Sequence, residues 1–96
     1  MGDDITLSAD EERLVRILKA LGNETRFGII KMLRQRNACI CGTIVESTPL
    51  AQSTVSQHLK VLKEANLVRG EVEGAATCYF LDRDTIAWLK RQVSEL

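Results

Sequence analysis

The 96-residue sequence lacks the features that mark membrane-spanning, secreted or disordered proteins. No apolar run approaches the ~20 residues needed to cross a bilayer, and the acidic N-terminus has no signal-peptide character. Proline occurs once, and apolar residues make up 45% of the chain, which suits a folded domain. We therefore expect one soluble cytoplasmic domain, small enough to gain from a partner that completes its core.

Cysteine is also scarce, with three residues at positions 39, 41 and 78. A disulfide-stapled scaffold is typical of oxidising compartments and of cysteine-rich chains. In a reducing cytoplasm, Cys39, Cys41 and Cys78 are expected to be free thiols or ligands.

Neither sign of charge is in excess, because 13 basic residues balance 13 acidic ones. The charges are nevertheless separated along the chain. Five acids fall within the first twelve residues, whereas residues 26–69 carry seven bases and two acids. Local fields matter more than net charge for the attraction of phosphate, so the middle of the chain suits a nucleic-acid partner.

The chain is predicted to begin with a flexible acidic tail, residues 1–7, followed by one domain at residues 8–96. Ser8 and Glu11 match a capping box, and apolar residues recur behind them at helical spacing. This pattern predicts an amphipathic helix over residues 9–21.

Three more helices are predicted before the first strand. The second is capped by Asn23 and turns Phe27, Ile30 and Leu33 inward, and the third is the short segment 39–47.

The fourth helix, residues 52–65, places Val55, Leu59 and Leu62 on one face. Ala51 offers no side-chain cap at its start, which costs roughly 1 kcal/mol of helix stability. The helix ends at Asn66, because asparagine tolerates the left-handed conformation.

A β-hairpin follows, with strands at residues 67–72 and 77–81, and a last helix runs from about residue 84 to the end. The order helix, helix, helix, helix, hairpin, helix predicts a mainly α winged helix-turn-helix (α-α-α-α-β-β-α). In such a unit the second helix, here residues 52–65, enters the major groove of DNA.

Four segments together resemble the ArsR/SmtB family. They are the Ala-Leu-Gly-Asn-Glu-Thr-Arg run at residues 20–26, the Cys-Ile-Cys pair at 39–41, the run at 52–59 and the run at 64–68. Their order and spacing are specific, and the resemblance covers roughly residues 12–95.

The resemblance implies a homodimeric winged-helix repressor, and no enzyme, that releases double-stranded operator DNA when a metal or metalloid binds. The first and last helices would pack across the two-fold axis, and the fourth helices would read successive major grooves. No cofactor is required, and the inducer would be arsenite or another thiophilic ion.

The polar face of the fourth helix is the predicted DNA contact. Glutamine pairs bidentately with adenine, hydroxyl groups contact bases or phosphates, and lysine neutralises phosphate. His58, next to the core residue Leu59, either packs or contacts the DNA backbone. A merely solvated face is the alternative. The predicted DNA-binding residues are Gln52, Ser53, Thr54, Ser56, Gln57, His58 and Lys60.

The predicted ligands of the inducing ion are Cys39 and Cys41, which match the thiol motif of arsenic-responsive family members. Thiolates are soft ligands that suit arsenite and antimonite. Positions i and i+2 of a regular helix point about 200° apart, so both thiols can bind one ion only where the backbone is irregular.

The third ligand is open, because relatives often carry a cysteine where this chain has Ile44. Cys78, a partner subunit's thiol or an exogenous ligand would complete the site, although packing is the more ordinary role for Cys78. The alternatives for Cys39 and Cys41 are a buried apolar pair or a redox-responsive repressor of the same fold.

Other classes fit parts of the sequence. One is a thiol oxidoreductase, but the sequence lacks the Cys-x-x-Cys in a βαβ setting that is usual for such enzymes. Another is a winged helix that binds protein instead of DNA, or one that acts without an effector. Asp82, Asp84 and Glu95 match the spacing of a zinc site on the last helix of some family members. No histidine accompanies them, so solvated acids are favoured.

The wing departs from the family pattern, because Glu71, Glu73 and Ala75 occupy it where basic residues are usual. An acidic wing repels phosphate, so deletion of residues 73–76 should weaken operator affinity by less than about tenfold in a fluorescence-anisotropy titration. A larger loss would show that the wing binds DNA.

Overall fold

The computed structural model describes residues 5–35, 50–73 and 76–96. These ranges form helices α1 (Ala9–Leu21), α2 (Glu24–Gln35), α3 (Gln52–Glu64) and α4 (Arg83–Ser94), with strands β1 (Val68–Glu73) and β2 (Ala76–Leu81) before α4. Helix α3 is the helix predicted at residues 52–65. The helix predicted at residues 39–47, the pair Cys39 and Cys41, and the hairpin tip at 74–75 lie outside the described residues.

Helix α1 begins with the predicted capping box. The Oγ of Ser8 accepts a hydrogen bond from the backbone N of Glu11 at 3.1 Å, and Glu11 Oε1 accepts one from the backbone N of Ser8 at 2.9 Å. Ile17 and Ala20 are buried, but Leu18 is 42% exposed. The buried stripe runs through every third residue, which leaves Leu18 at its edge.

Helix α2 begins at the predicted cap, since Asn23 Oδ1 accepts from the backbone N of Arg26 at 3.0 Å. Phe27, predicted inward, is 53% exposed. That prediction was wrong because the inward-facing residue at this turn of α2 is Arg26, whose side chain reaches α1. With Arg26 facing inward, the next residue, Phe27, faces solvent. The inward face comprises Arg26, Ile29, Ile30 and Leu33, at helical spacing i, i+3, i+4, i+7.

Helix α3 buries the predicted stripe of Val55, Leu59 and Leu62. Its N-cap residue Ala51 makes no side-chain cap hydrogen bond. After the helix, Asn66 has φ 61°, which confirms the left-handed stop. The largest fully buried side chains of the core are Ile17, Leu33, Val55, Leu62 and Leu67.

The hairpin is antiparallel, with Val68 opposite Leu81 and Gly70 opposite Tyr79. Strand β1 lies against α3, and β2 lies against α2. Each observed strand starts one residue from its predicted start. The wing is therefore fixed directly to the helices that form the core.

Helix α4 packs against α1. Asp82 caps it by accepting from the backbone N of Thr85 at 3.1 Å, and the Arg13 guanidinium carbon lies 4.0 Å from the centroid of the Trp88 ring. Val93, in the last turn of α4, is 44% exposed. No helix in the described ranges is long and apolar enough to cross a membrane.

Gly28 provides a test of the packing of α2. The space around a Cβ built at Gly28 is empty to 4 Å, and glycine inside a helix costs roughly 0.5–1 kcal/mol relative to alanine. Gly28→Ala should raise the free energy of unfolding in urea by about that amount.

Gly22→Ala is the matched control, because a Cβ at Gly22 would lie 3.3 Å from the carbonyl oxygen of Leu18. We expect no gain from it. A loss of stability in Gly28→Ala would contradict the open space found around Gly28 and indicate that another surface covers this face of α2.

Candidate nucleic-acid interface

Helix α3 exposes a polar face opposite its buried stripe. Of the seven predicted DNA-binding residues, Thr54 and His58 are half-buried. The exposed ones are Gln52, Ser53, Ser56, Gln57 and Lys60. The fold therefore brings five of the predicted side chains to the solvent side of one helix.

The chemistry of this face suits DNA. The side-chain amide of Gln57 offers an NH₂ donor and a carbonyl acceptor, the serines offer hydroxyl groups, and Lys60 offers a positive charge. The first turn of α3 carries no acidic residue, and the one acid of the helix, Glu64, is its last residue. No carboxylate therefore opposes phosphate at the end of the helix that would enter a groove.

His58 turns toward the interior. Its Nδ1 lies 3.3 Å from Nη1 of Arg26. Because a guanidinium can only donate, Nδ1 of His58 is the acceptor in this hydrogen bond. The geometry supports packing for His58, and a contact between Nε2 and the DNA backbone stays a prediction.

Arg26 joins three helices. Its Nε donates to the carbonyl oxygen of Ala20 at 2.6 Å and its Nη2 donates to that of Lys19 at 3.3 Å. These carbonyls lie in the last turn of α1, where helical acceptors have no partner within the helix. Since the same guanidinium reaches His58, one side chain fixes the position of α3 relative to α1.

Sequence reasoning missed Arg26 as a site residue. The available signal was a cation at the inward position of a helix, four residues after a glycine that ends the preceding helix. A long cation in that place can reach the C-terminal carbonyls of the earlier helix.

Cys78 is 3% exposed and takes part in a disulfide bond. This differs from the expected free thiol or ligand, an expectation that rested on the reducing conditions of the cytoplasm. The other two cysteines of the chain, Cys39 and Cys41, lie outside the described residues.

The acids near α4 do not converge. Asp82 caps the helix, and its Oδ2 lies 3.8 Å from Nε of Arg69. Asp84 and Glu95 are exposed at opposite ends of α4. Among the residues that the structure describes, no group of three His, Cys, Asp or Glu side chains could hold a metal ion.

A helix with one buried stripe and one polar face, followed directly by a two-stranded hairpin, is the arrangement of a winged helix, a fold typical of DNA-binding proteins. Comparisons with known proteins agree. A family model described as "Bacterial regulatory protein, arsR family" matches residues 23–69.

Similar proteins cover most of the chain. An uncharacterized HTH-type transcriptional regulator of Methanocaldococcus jannaschii is 34% identical over 86 residues, which span 88% of this chain and 96% of that protein. The arsenical resistance operon repressor of Bacillus subtilis is 36% identical over 69 residues, which span 71% of this chain and 65% of that protein.

Among solved structures, the homodimeric winged helix-turn-helix domain of a possible ArsR-family regulator from Mycobacterium bovis superposes with a TM-score of 0.71. It is 26% identical and covers 96% of this chain and 90% of that one. The protein belongs to the ArsR family of transcriptional regulators. The family confirms the predicted fold and the prediction of a DNA-binding regulator and not an enzyme.

Arg26→Ala tests the contact that holds α3. The variant loses hydrogen bonds from a charged donor to two carbonyls and to His58, so the free energy of unfolding in urea should fall by about 2 kcal/mol. Arg34→Ala, an exposed arginine of the same helix, is the control and should change it by less than about 0.5 kcal/mol. Equal effects of the two substitutions would contradict the role given to Arg26.

Proposed function

We propose that this regulator is a homodimeric cytoplasmic repressor that binds double-stranded operator DNA through α3. It releases the DNA when arsenite or a similar soft ion binds Cys39, Cys41 and Cys78. The exposed polar face of α3 supports the DNA half of the proposal. The bonded state of Cys78 supports the sensing half, and it is the observation on which the choice of ligands rests.

Three thiols suffice for one trigonal arsenite site. The sequence holds two other cysteines, Cys39 and Cys41, which form the Cys-x-Cys pair that resembles the thiol motif of arsenic-responsive family members. Side chains close enough to form a disulfide can also, when reduced, converge on one soft ion. Cys78 would thus supply the ligand that relatives carry where this chain has Ile44.

Strand β2 offers a route from the thiols to α3. Successive strand residues face opposite sides, so Cys78 and Tyr79 lie on different faces of the hairpin. Cys78 is buried, and Tyr79 lines a groove together with Lys60 of α3. A ligand that draws Cys78 toward Cys39 and Cys41 would shift β2 and thereby α3. A coupling of about 1–3 kcal/mol is typical of such regulation.

Exposed apolar side chains near α1 and on α4 support the dimer. Leu7, Val15, Leu18 and Val93 are each 38–44% exposed, which leaves apolar surface on both helices for a second copy to cover. The Mycobacterium bovis domain of the same fold is homodimeric. In a dimer, two copies of α3 would read successive major grooves.

The disulfide of Cys78 also favours a second candidate, a repressor that responds to oxidants. Two thiols would form one S–S bond and pass two electrons and two protons to hydrogen peroxide, which is reduced to two molecules of water. Arsenite binding differs, because the sulfur atoms then bind the ion without being oxidised.

Release of operator DNA separates these mechanisms. Binding to a fragment from upstream of the protein's own gene is followed by fluorescence anisotropy, in a phosphine reductant that supplies no competing thiol. Arsenite should weaken binding by the wild-type protein about 5–150-fold. It should change binding by less than about twofold in Cys78→Ser and in the double variant Cys39→Ser, Cys41→Ser, both of which should bind normally without arsenite.

Each failure has a separate meaning. Normal release in Cys78→Ser would remove Cys78 from the site and leave the other two thiols as ligands. Normal release in the double variant would overturn arsenite sensing. Release by peroxide, reversed by reductant and without any response to arsenite, would establish the redox candidate.

A further inference from the structure

A groove runs between α3 and β2 beside the exposed polar face of α3. Its volume is about 440 Å³, and its lining residues are Ser56, Leu59, Lys60, Lys63, Glu64 and Tyr79. Ser56, Lys60 and Lys63 follow one another at i, i+4 and i+7, so they form one ridge of the helix. Two of these residues, Ser56 and Lys60, also belong to the predicted DNA-reading set.

The strand side of the groove is formed by Tyr79. Its ring is half-buried and packs against the hydrophobic core, which limits the positions that the phenol can take. The hydroxyl at the far end of a packed ring is a hydrogen-bond donor held in place at little further cost in side-chain entropy. Strand β2 therefore contributes a positioned donor opposite a ridge of lysines.

The lining favours an anion. Two ammonium groups and two hydroxyls can donate, whereas Glu64 supplies the one carboxylate, so the lining carries a net positive charge. Small-molecule sites of similar volume are lined mainly by apolar and aromatic side chains. Here Leu59 is the one aliphatic member, and it belongs to the buried stripe of α3.

We propose that this α3–β2 groove binds a backbone phosphate of the DNA whose bases are read by the adjacent face of α3. Lys63 and Tyr79 are the new members of the interface, and Lys60 is shared between the groove and the reading face. The inference rests on the proposed binding of operator DNA through α3. Continuity with that face and the positive charge of the lining identify the occupant as DNA.

Glu64 and Lys63 are expected to affect DNA affinity in opposite directions. Its carboxylate lies in the same groove and opposes the phosphate, so its neutralisation should tighten DNA binding, whereas the neutralisation of Lys63 should weaken it. Opposite effects from adjacent residues are not expected of general damage to the helix end.

The test is the salt dependence of operator affinity, measured by fluorescence anisotropy. Lys63→Gln should lower the slope of log affinity against log salt concentration by about 0.9 for each bound subunit, because one phosphate contact is lost. Lys90→Gln removes the same charge from the exposed side of α4 and should leave the slope unchanged.

Three further variants complete the experiment. Tyr79→Phe keeps the packed ring and should weaken binding to specific and unrelated DNA alike, by about tenfold. Glu64→Gln should tighten binding. Gln57→Ala should reduce the preference for the operator and leave the salt slope at the wild-type value. Thermal unfolding at the wild-type temperature checks that Tyr79→Phe remains folded.

Wild-type slope and affinity in both Lys63→Gln and Tyr79→Phe would overturn the groove, even while Gln57→Ala still impairs recognition of the operator. If the wild-type protein formed no specific complex with operator DNA, the proposed function itself would fail. The two failures are therefore distinguishable in one set of titrations.

Discussion

The surface proposed to meet DNA depends on how α3 is held against its neighbours. Only one rotation of the helix buries Val55, Leu59 and Leu62 together, and that rotation leaves the polar side chains outside. Arg26 adds a directional constraint, because its guanidinium joins two carbonyls of α1 to His58 of α3. A rotated α3 would expose its apolar stripe and break this contact, so the orientation of the polar face of α3 follows from the core.

Local chemistry made much of this fold predictable. The capping box at Ser8, the left-handed stop at Asn66 and the buried stripe of α3 each follow from residues close together in the chain. Phe27 was placed wrongly because apolar periodicity counts only apolar residues. The inward place belongs to Arg26, whose partners are carbonyl groups of another helix that a sequence pattern does not reveal.

The groove and the bonded thiol were harder to predict, for a related reason. Tyr79 and Lys63 line one groove only because the hairpin folds back toward α3, and the spacing of the cysteines in the sequence does not reveal the bonded state of Cys78. Because side chains alternate along β2, Cys78 lies on one face of the hairpin and Tyr79 on the other. The two neighbouring residues can therefore have different proposed roles, Cys78 as an ion ligand and Tyr79 as a phosphate contact. In the proposed mechanism, the strand connects the bound ion to the phosphate groove and to α3. Strand β2 would thus carry one ligand of the ion and one of the groups that contact phosphate.

The number of sulfur atoms around bound arsenic tests the central claim most directly. X-ray absorption at the arsenic K-edge counts these neighbours in the reduced protein loaded with one equivalent of arsenite. Convergence of Cys39, Cys41 and Cys78 on one ion predicts three sulfur neighbours, and two in Cys78→Ser with oxygen in the third place. Two sulfur neighbours in the wild-type protein, unchanged by that substitution, would contradict the account.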